Sequence, residues 1–236
     1  WKYLMSKNFI NRLITSLILL ALLLVINFGH HIFFIISITI LGFIICIEAN
    51  NIFTKILGAS FFKHNKNNRI EPKFNFKLLT LNIVIFYYVF FIFCQFSYQI
   101  HRFKSPTFFF FLISICFFSD IGGYVFGKTF KGKKLTKISP NKTISGVLGS
   151  FIFSIIPLSL FTILNNFDFK LNLKGLMFSL LISLVCQIGD LFVSYLKRKA
   201  NIKDTGRILP GHGGILDRVD GMLFAIPFSY FLFKVI

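Results

Sequence analysis

Apolar runs of 16 to 23 residues alternate with short polar, lysine-bearing segments along almost the whole chain. Crossing a bilayer by helix takes about 20 mostly apolar residues. The runs at 13–28, 32–47, 78–100, 107–126, 144–164, 175–196 and 217–236 therefore predict about seven transmembrane helices. The first two runs are short and joined only through Gly29, His30 and His31, which predicts a tight helical hairpin. A short apolar stretch at 52–62 fits no full span. The expected fold is all-α: a polytopic integral membrane protein forming a single membrane domain over 1–236, with helices alone in 1–118 and polar motifs confined to 119–236.

Composition agrees with that pattern. Hydrophobic residues make up 55% of the 236, charged residues only 14%, and the mean hydropathy is +0.75. Soluble domains carry about 25% charged residues, so a soluble fold and a disordered chain are both excluded. The phenylalanine run Phe108 to Phe111 is read as lipid-facing bulk. Cys46, Cys94, Cys116 and Cys186 all fall inside apolar runs without CxxC spacing, and are read as small buried hydrophobes. No small-x-small cleavage site follows the first run, so it is expected to remain as a span rather than leave as a signal peptide.

Charge then orients the helices. With the N-terminus inside, 20 of the 26 Lys and Arg flank the spans on the cytoplasmic side and five lie opposite, while Arg218 sits just inside the last span. Basic residues near span ends are retained in the cytoplasm, so the expected topology is N-in, C-out. The net charge of +18 is thereby explained without nucleic acid, since no aromatic-interleaved soluble module accompanies the basic residues. Anionic membrane lipid is the expected partner of the juxtamembrane lysines.

The eight acidic residues are scarce enough to place one by one: Glu48, Glu71, Asp120, Asp168, Asp190, Asp204, Asp217 and Asp220. Asp120 precedes Gly127 by seven residues and Asp190 precedes Lys197 by seven, which at 1.5 Å per helical residue puts both about 10 Å below the cytoplasmic ends of their spans. Asp217 and Asp220, at i and i+3, share one helix face. An ionisable group within a span costs about 2.5 to 3.5 kcal/mol. Four such acids at one membrane face with Lys203, His212 and Arg218 mark a candidate site rather than isolated structural ion pairs. Several carboxylates suit Mg²⁺ or Mn²⁺. His212, flanked by Gly211, Gly213 and Gly214, belongs to a turn whose N–H groups suit an anion.

These residues resemble the phosphatidate cytidylyltransferase family, the CDP-diacylglycerol synthases. The resemblance is carried by Ser194, Lys197-Arg198, Lys203-Asp204, Gly206, Pro210, His212-Gly213-Gly214, Asp217-Arg218 and Asp220. Asp120, Tyr124 and Gly127 resemble an earlier segment of the family, and Ser139-Pro140, Lys142-Thr143 and Gly146 another. Coverage is strong from about 119 to 220 and only hydropathic before that. The sequence departs from the family pattern at Ile144-Ser145, where Trp-Glu is expected, at Val193, where a Glu is common, and at Gly123, where Ala is usual.

The resemblance implies a nucleotidyltransferase that moves the cytidylyl group of CTP to phosphatidate, releasing pyrophosphate. It implies a catalytic half at 119–236. It gives Lys197, Arg198, Lys203, Asp204, His212 and Arg218 catalytic roles, and it makes Lys142, Ser194, Gly213 and Gly214 substrate-binding. Mg²⁺, with a second cation as an option, is implied on Asp190, Asp217, Asp220 and Asp120. A homodimer is a candidate assembly, and the implied location is a bacterial cytoplasmic (inner) membrane with the site facing the cytosol. Two alternatives compete. An ion-coupled transporter would place its acids near the midplane in two repeated halves, whereas here all the candidate acids fall in the second half. A diverged, inactive relative is the other. The Asp-Gly-x-x-Ala-Arg opening of a CDP-alcohol phosphotransferase is absent.

Overall fold

The computed structural model describes residues 18, 20–58, 62–64, 70–72, 75–136, 139, 142–163, 171–206, 208 and 213–235. Helical residues at 20–28 end at Gly29 and His30, where the chain turns into α1 (His31–Leu57). The helix therefore breaks where the hairpin turn is predicted, although residues 13–17 and 19 of the first run lie outside the described residues. Helix α1 runs on past the predicted end at 47, absorbing most of the unassigned 52–62 stretch. It stops at Gly58, whose φ of 56° is a left-handed cap that favours glycine. A small antiparallel hairpin follows, β1 (Phe62–His64) with β2 (Ile70–Pro72).

Three of the next four helices begin where a short polar side chain takes an orphan backbone N–H. Asn75 accepts from Leu78 at the start of α2 (Phe76–Lys104), which includes π-helical stretches at Tyr88–Cys94 and Ile100–Lys104. Ser105 accepts from Phe108 and is followed by Pro106 at the first position of α3 (Pro106–Thr129). After α4 (Ile144–Ile163), Asn172 accepts from Gly175 to start α5 (Leu173–Lys199). The short α6 (Leu216–Val219) and α7 (Met222–Val235) complete the chain.

Helices α1 to α5 are each long and apolar enough to cross a membrane. The last predicted run is instead divided between α6 and the 14-residue α7, because the chain turns at Asp220 and Gly221. Large apolar side chains such as Phe33, Phe43, Phe91, Leu148 and Ile188 stand on the outer surface. A water-soluble protein would bury such a girdle, whereas hydrocarbon solvates it.

The phenylalanine run corrects the expectation. Phe108, Phe109 and Phe111 are buried rather than lipid-facing. Phe108 meets Phe178 of α5 and Phe233 of α7, and Phe109 packs edge-on against Phe34 of α1. Their rings fill the space between four helices, where aromatic area has more to gain than against lipid tails. The four cysteines behave as expected: Cys94, Cys116 and Cys186 are buried and Cys46 is half-buried, none of them in a disulfide.

Small residues set the tightest seam, between α3 and α4, as is usual where helices associate in lipid. A Cβ on Gly122 would strike the Gly149 carbonyl oxygen, and one on Gly149 would lie 2.5 Å from the Gly122 carbonyl oxygen. Ser119 on α3 hydrogen-bonds Ser183 on α5 at 2.8 Å, and Ser183 in turn donates to the Ser150 carbonyl of α4 at 3.4 Å. This three-helix seam lies one residue from Asp120 and two turns from Asp190. Gly149→Leu is expected to overpack it, at a cost of about 1 to 3 kcal/mol, and so to lower the melting temperature in detergent. Leu148→Ala, at a neighbouring but 59% exposed position, should leave that temperature unchanged, and equal melting of both variants would contradict the seam.

Candidate active site

The acids gather where α3, α5 and the α6–α7 turn meet. Asp120 comes from the last turns of α3, Asp190 from the second half of α5, and Asp220 from the turn after α6. Their carboxylates are near enough for the charges to act on one another: Asp190 on both Asp120 and Asp220, and Asp120 on Asp220. Lys142, from the segment leading into α4, forms an ion pair with Asp190 Oδ2. Ser194, one turn along α5, donates to Asp190 Oδ1 at 3.2 Å. Asp220 is buried, and its Oδ1 accepts from the Gly221 N–H at 2.8 Å. The charges of Lys142 and Arg218 also reach Asp120, and that of Lys197 reaches Asp220. Carboxylates and cations thus interleave, so repulsion within each set is offset by the other.

Asp217 stands apart from this cluster in what it does. Its Oδ1 takes the Lys197 ammonium at 2.7 Å. Its Oδ2 accepts from the Thr205 N–H at 2.8 Å, the Thr205 hydroxyl at 3.1 Å and the Gly214 N–H at 3.1 Å. The side chains of Lys197 and Asp217 are 14% and 8% exposed, so the pair is screened little by solvent. With its oxygens already engaged by four donors, Asp217 closes the loop from α5 to α6 onto the end of α5.

Glu48 of α1, placed but given no role from sequence, is the second clamp. It is 1% exposed, in the middle of an apolar helix. Oε1 accepts from the Ile215 N–H at 3.0 Å, and Oε2 accepts from the Leu216 N–H at 2.8 Å and the Thr205 hydroxyl at 2.7 Å. Thr205 therefore shares one proton between Glu48 and Asp217. The glycines are small because these carboxylates press on them: a Cβ on Gly214 would lie 2.5 Å from Glu48 Oε2, and Gly213 has a φ of 84° with Asp217 Oδ2 beside it. The signal for Glu48 was available, since a lone acid within an apolar span is costly and needs partners.

Not every expected residue joins the site. Arg198, Lys203 and Asp204 are exposed and form no ion pair among the described residues. His212 lies outside the described residues. The two departures from the family pattern have structural places. Val193 is buried in the apolar core, while Ser145 donates to the Lys131 carbonyl and contacts Thr143 Oγ1 at 2.9 Å, pinning the lysine-rich loop before α4.

The three clustered carboxylates offer hard oxygen donors. Among the described residues no three acidic, imidazole or thiol groups close on a common point. Mg²⁺ does not require that, because it usually keeps waters and takes one or two carboxylates with substrate phosphates. The donor set of Asp120, Asp190 and Asp220 fits such an ion.

Fold and site together define a polytopic helical membrane protein with an acid–base cluster at one end of its bundle. The chain belongs to the cytidylyltransferase family, whose model matches residues 5–236. It is 40% identical over 127 residues to a phosphatidate cytidylyltransferase of Bacillus subtilis, covering 53% of this chain and 47% of that protein. It is 41% identical over 138 residues to one of Rickettsia felis, covering 56% and 59%, and 46% identical over 118 residues to one of Helicobacter pylori, covering 48% and 42%. The chain spans about half the length of the curated relatives it matches.

Removing the partner of a buried ion pair costs about 3 to 5 kcal/mol. Asp217→Asn removes one oxygen and leaves the Lys197 ammonium without its carboxylate. A clear fall in melting temperature is expected in detergent, with no fall for Lys203→Gln at its exposed position. Identical melting of Asp217→Asn and wild type would contradict the clamp.

Proposed function

We propose that this chain transfers the cytidylyl group of CTP to phosphatidate, forming CDP-diacylglycerol and pyrophosphate. The observation that carries the reading is the interleaved cluster of Asp120, Asp190 and Asp220 with Lys142, Lys197 and Arg218 at one end of a membrane bundle. The names of the relatives supply the substrates. Both reactants are polyanions, so their approach is opposed by charge, and a site for them needs cations held at fixed positions.

In the reaction, a phosphate oxygen of phosphatidate attacks the α-phosphorus of CTP. The bond from that phosphorus to the bridging oxygen breaks, and its electron pair leaves with pyrophosphate. Phosphatidate is itself the nucleophile, so no Ser or Cys needs activation. Lys142, paired with Asp190 before substrate enters, is positioned to turn its ammonium toward an incoming phosphate. Arg218 neutralises charge near Asp120, and Lys197 stays on Asp217, holding the loop that borders the site. Mg²⁺ would be held by Asp190 and Asp220 with Asp120 close by, and when bound it would neutralise phosphate charge and favour in-line geometry. Asp217 serves this reading better as a clamp than as a ligand, because its oxygens are already engaged.

The charge asymmetry supports a site facing the cytosol, where CTP is available, in a bacterial inner membrane. Exposed Lys128, Lys131, Lys133 and Lys134 on the same face favour an anionic lipid surface, at about 1 kcal/mol each. Purified protein supplied with radiolabelled CTP, phosphatidate and Mg²⁺ is expected to produce lipid-extractable label, and chelation of the metal to stop it. Asp220→Asn should lower turnover by about a hundredfold, equal to about 2.7 kcal/mol, with the fold intact. Absence of label with wild type, or full activity of Asp220→Asn, would contradict the proposal.

A further inference from the structure

The end of the bundle opposite the acids holds a second polar feature. A cavity of about 360 Å³ opens among the end of α2, the start of α3 and the end of α7, with Gln99, Lys104, Phe108, Tyr230, Phe233 and Lys234 in its wall. Phe108 and Asp120 are twelve residues apart on α3, about 18 Å along the axis, so this cavity is separate from the acid cluster. Its volume equals that of roughly twelve liquid waters at about 30 Å³ each, which accommodates a phosphate and its attached glycerol.

Both lysines are fixed by aromatic faces rather than by acids. Lys104 Nζ lies 3.5 Å from the centroid of the Phe233 ring, and Lys234 Nζ lies 4.7 Å from that of Tyr230. Such contacts hold an ammonium in place while leaving its N–H groups available for an oxygen ligand. Among the described residues neither lysine forms an ion pair. Exposed Phe103, Phe231 and Val235 flank the cavity, an apolar surface along which acyl chains can lie. These lysines also stand on the face that the charge asymmetry leaves poor in basic residues, so orientation does not account for them.

We infer that this cavity binds the phosphate of an anionic membrane phospholipid in the leaflet opposite the acid cluster. The two ammonium groups grip the phosphodiester. They disfavour a headgroup with its own quaternary ammonium, which would meet two like charges. The site is independent of the proposed reaction and does not need it to be correct.

Native mass spectrometry of the full chain released from neutral detergent tests the inference, with phosphatidylglycerol as the probe. Wild type is expected to retain one lipid that Lys104→Gln/Lys234→Gln loses by at least tenfold, and that Lys104→Arg/Lys234→Arg retains. Asp220→Asn should retain it as wild type does, which separates this site from the acid cluster. Phosphatidylcholine should be retained at least tenfold less, and equimolar inorganic phosphate should not displace the bound lipid. Equal retention by the double glutamine variant, equal retention of phosphatidylcholine, or displacement by inorganic phosphate would each overturn the inference.

Discussion

A carboxylate buried in an apolar helix governs the arrangement of the polar end of this protein. Glu48 sits on α1, and 157 residues further along the chain its oxygens collect the Thr205 hydroxyl and then the first amides around α6. Among the described residues hydrogen bonding alone compensates it, for it forms no ion pair there. A buried carboxylate without donors would cost several kcal/mol, so the loop is drawn to Glu48 as firmly as Glu48 is drawn to the loop. Asp217 repeats the device from within α6, and Thr205 joins the two. The α6 turn that delivers Asp220 to the cluster is fixed by this pair of clamps.

The second determinant is the seam of small residues. Gly122 against Gly149, and Ser119 with Ser183 and Ser150, allow α3, α4 and α5 to approach closely without bulky side chains between them. Asp120 and Asp190 ride on two of these helices, so backbone packing rather than loop geometry brings their charges together. Lys142 enters from the segment that leads into the third. The cluster therefore combines two acids on rigid helices with one acid on a clamped turn, a division that suits binding charged reactants at fixed points.

Much of this was legible from sequence, for reasons that differ by residue. Apolar run length predicts spans because the bilayer fixes it, and α1 to α5 follow. Counting helical residues back from the polar ends puts Asp120 and Asp190 at one level, and the structure places their carboxylates near enough to act on one another. The resemblance supplied Lys142, while the scarcity and spacing of the acids supplied Asp220, and the structure brings both to the cluster. Three features were hidden. Run length cannot say which side of a helix meets its neighbours, so Phe108, Phe109 and Phe111 were assigned to lipid although they fill the core. The i, i+3 spacing of Asp217 and Asp220 puts both on one face, but it does not reveal that Asp217 meets Lys197 and the loop amides. Glu48 shows as a lone acid in an apolar run, but its partners are hidden, being far along the chain and mostly backbone N–H groups, which carry no sequence signature.

The central claim is that Glu48 holds the loop from α5 to α6, and amide hydrogen exchange of wild type and Glu48→Gln in detergent tests it most directly. The substitution removes one acceptor while keeping side-chain volume. The account predicts at least tenfold faster exchange at Ile215 and Leu216, about one hydrogen bond in free energy, with α3 and α4 unchanged. Unaltered exchange at those two amides, or equal acceleration throughout the protein, would contradict it.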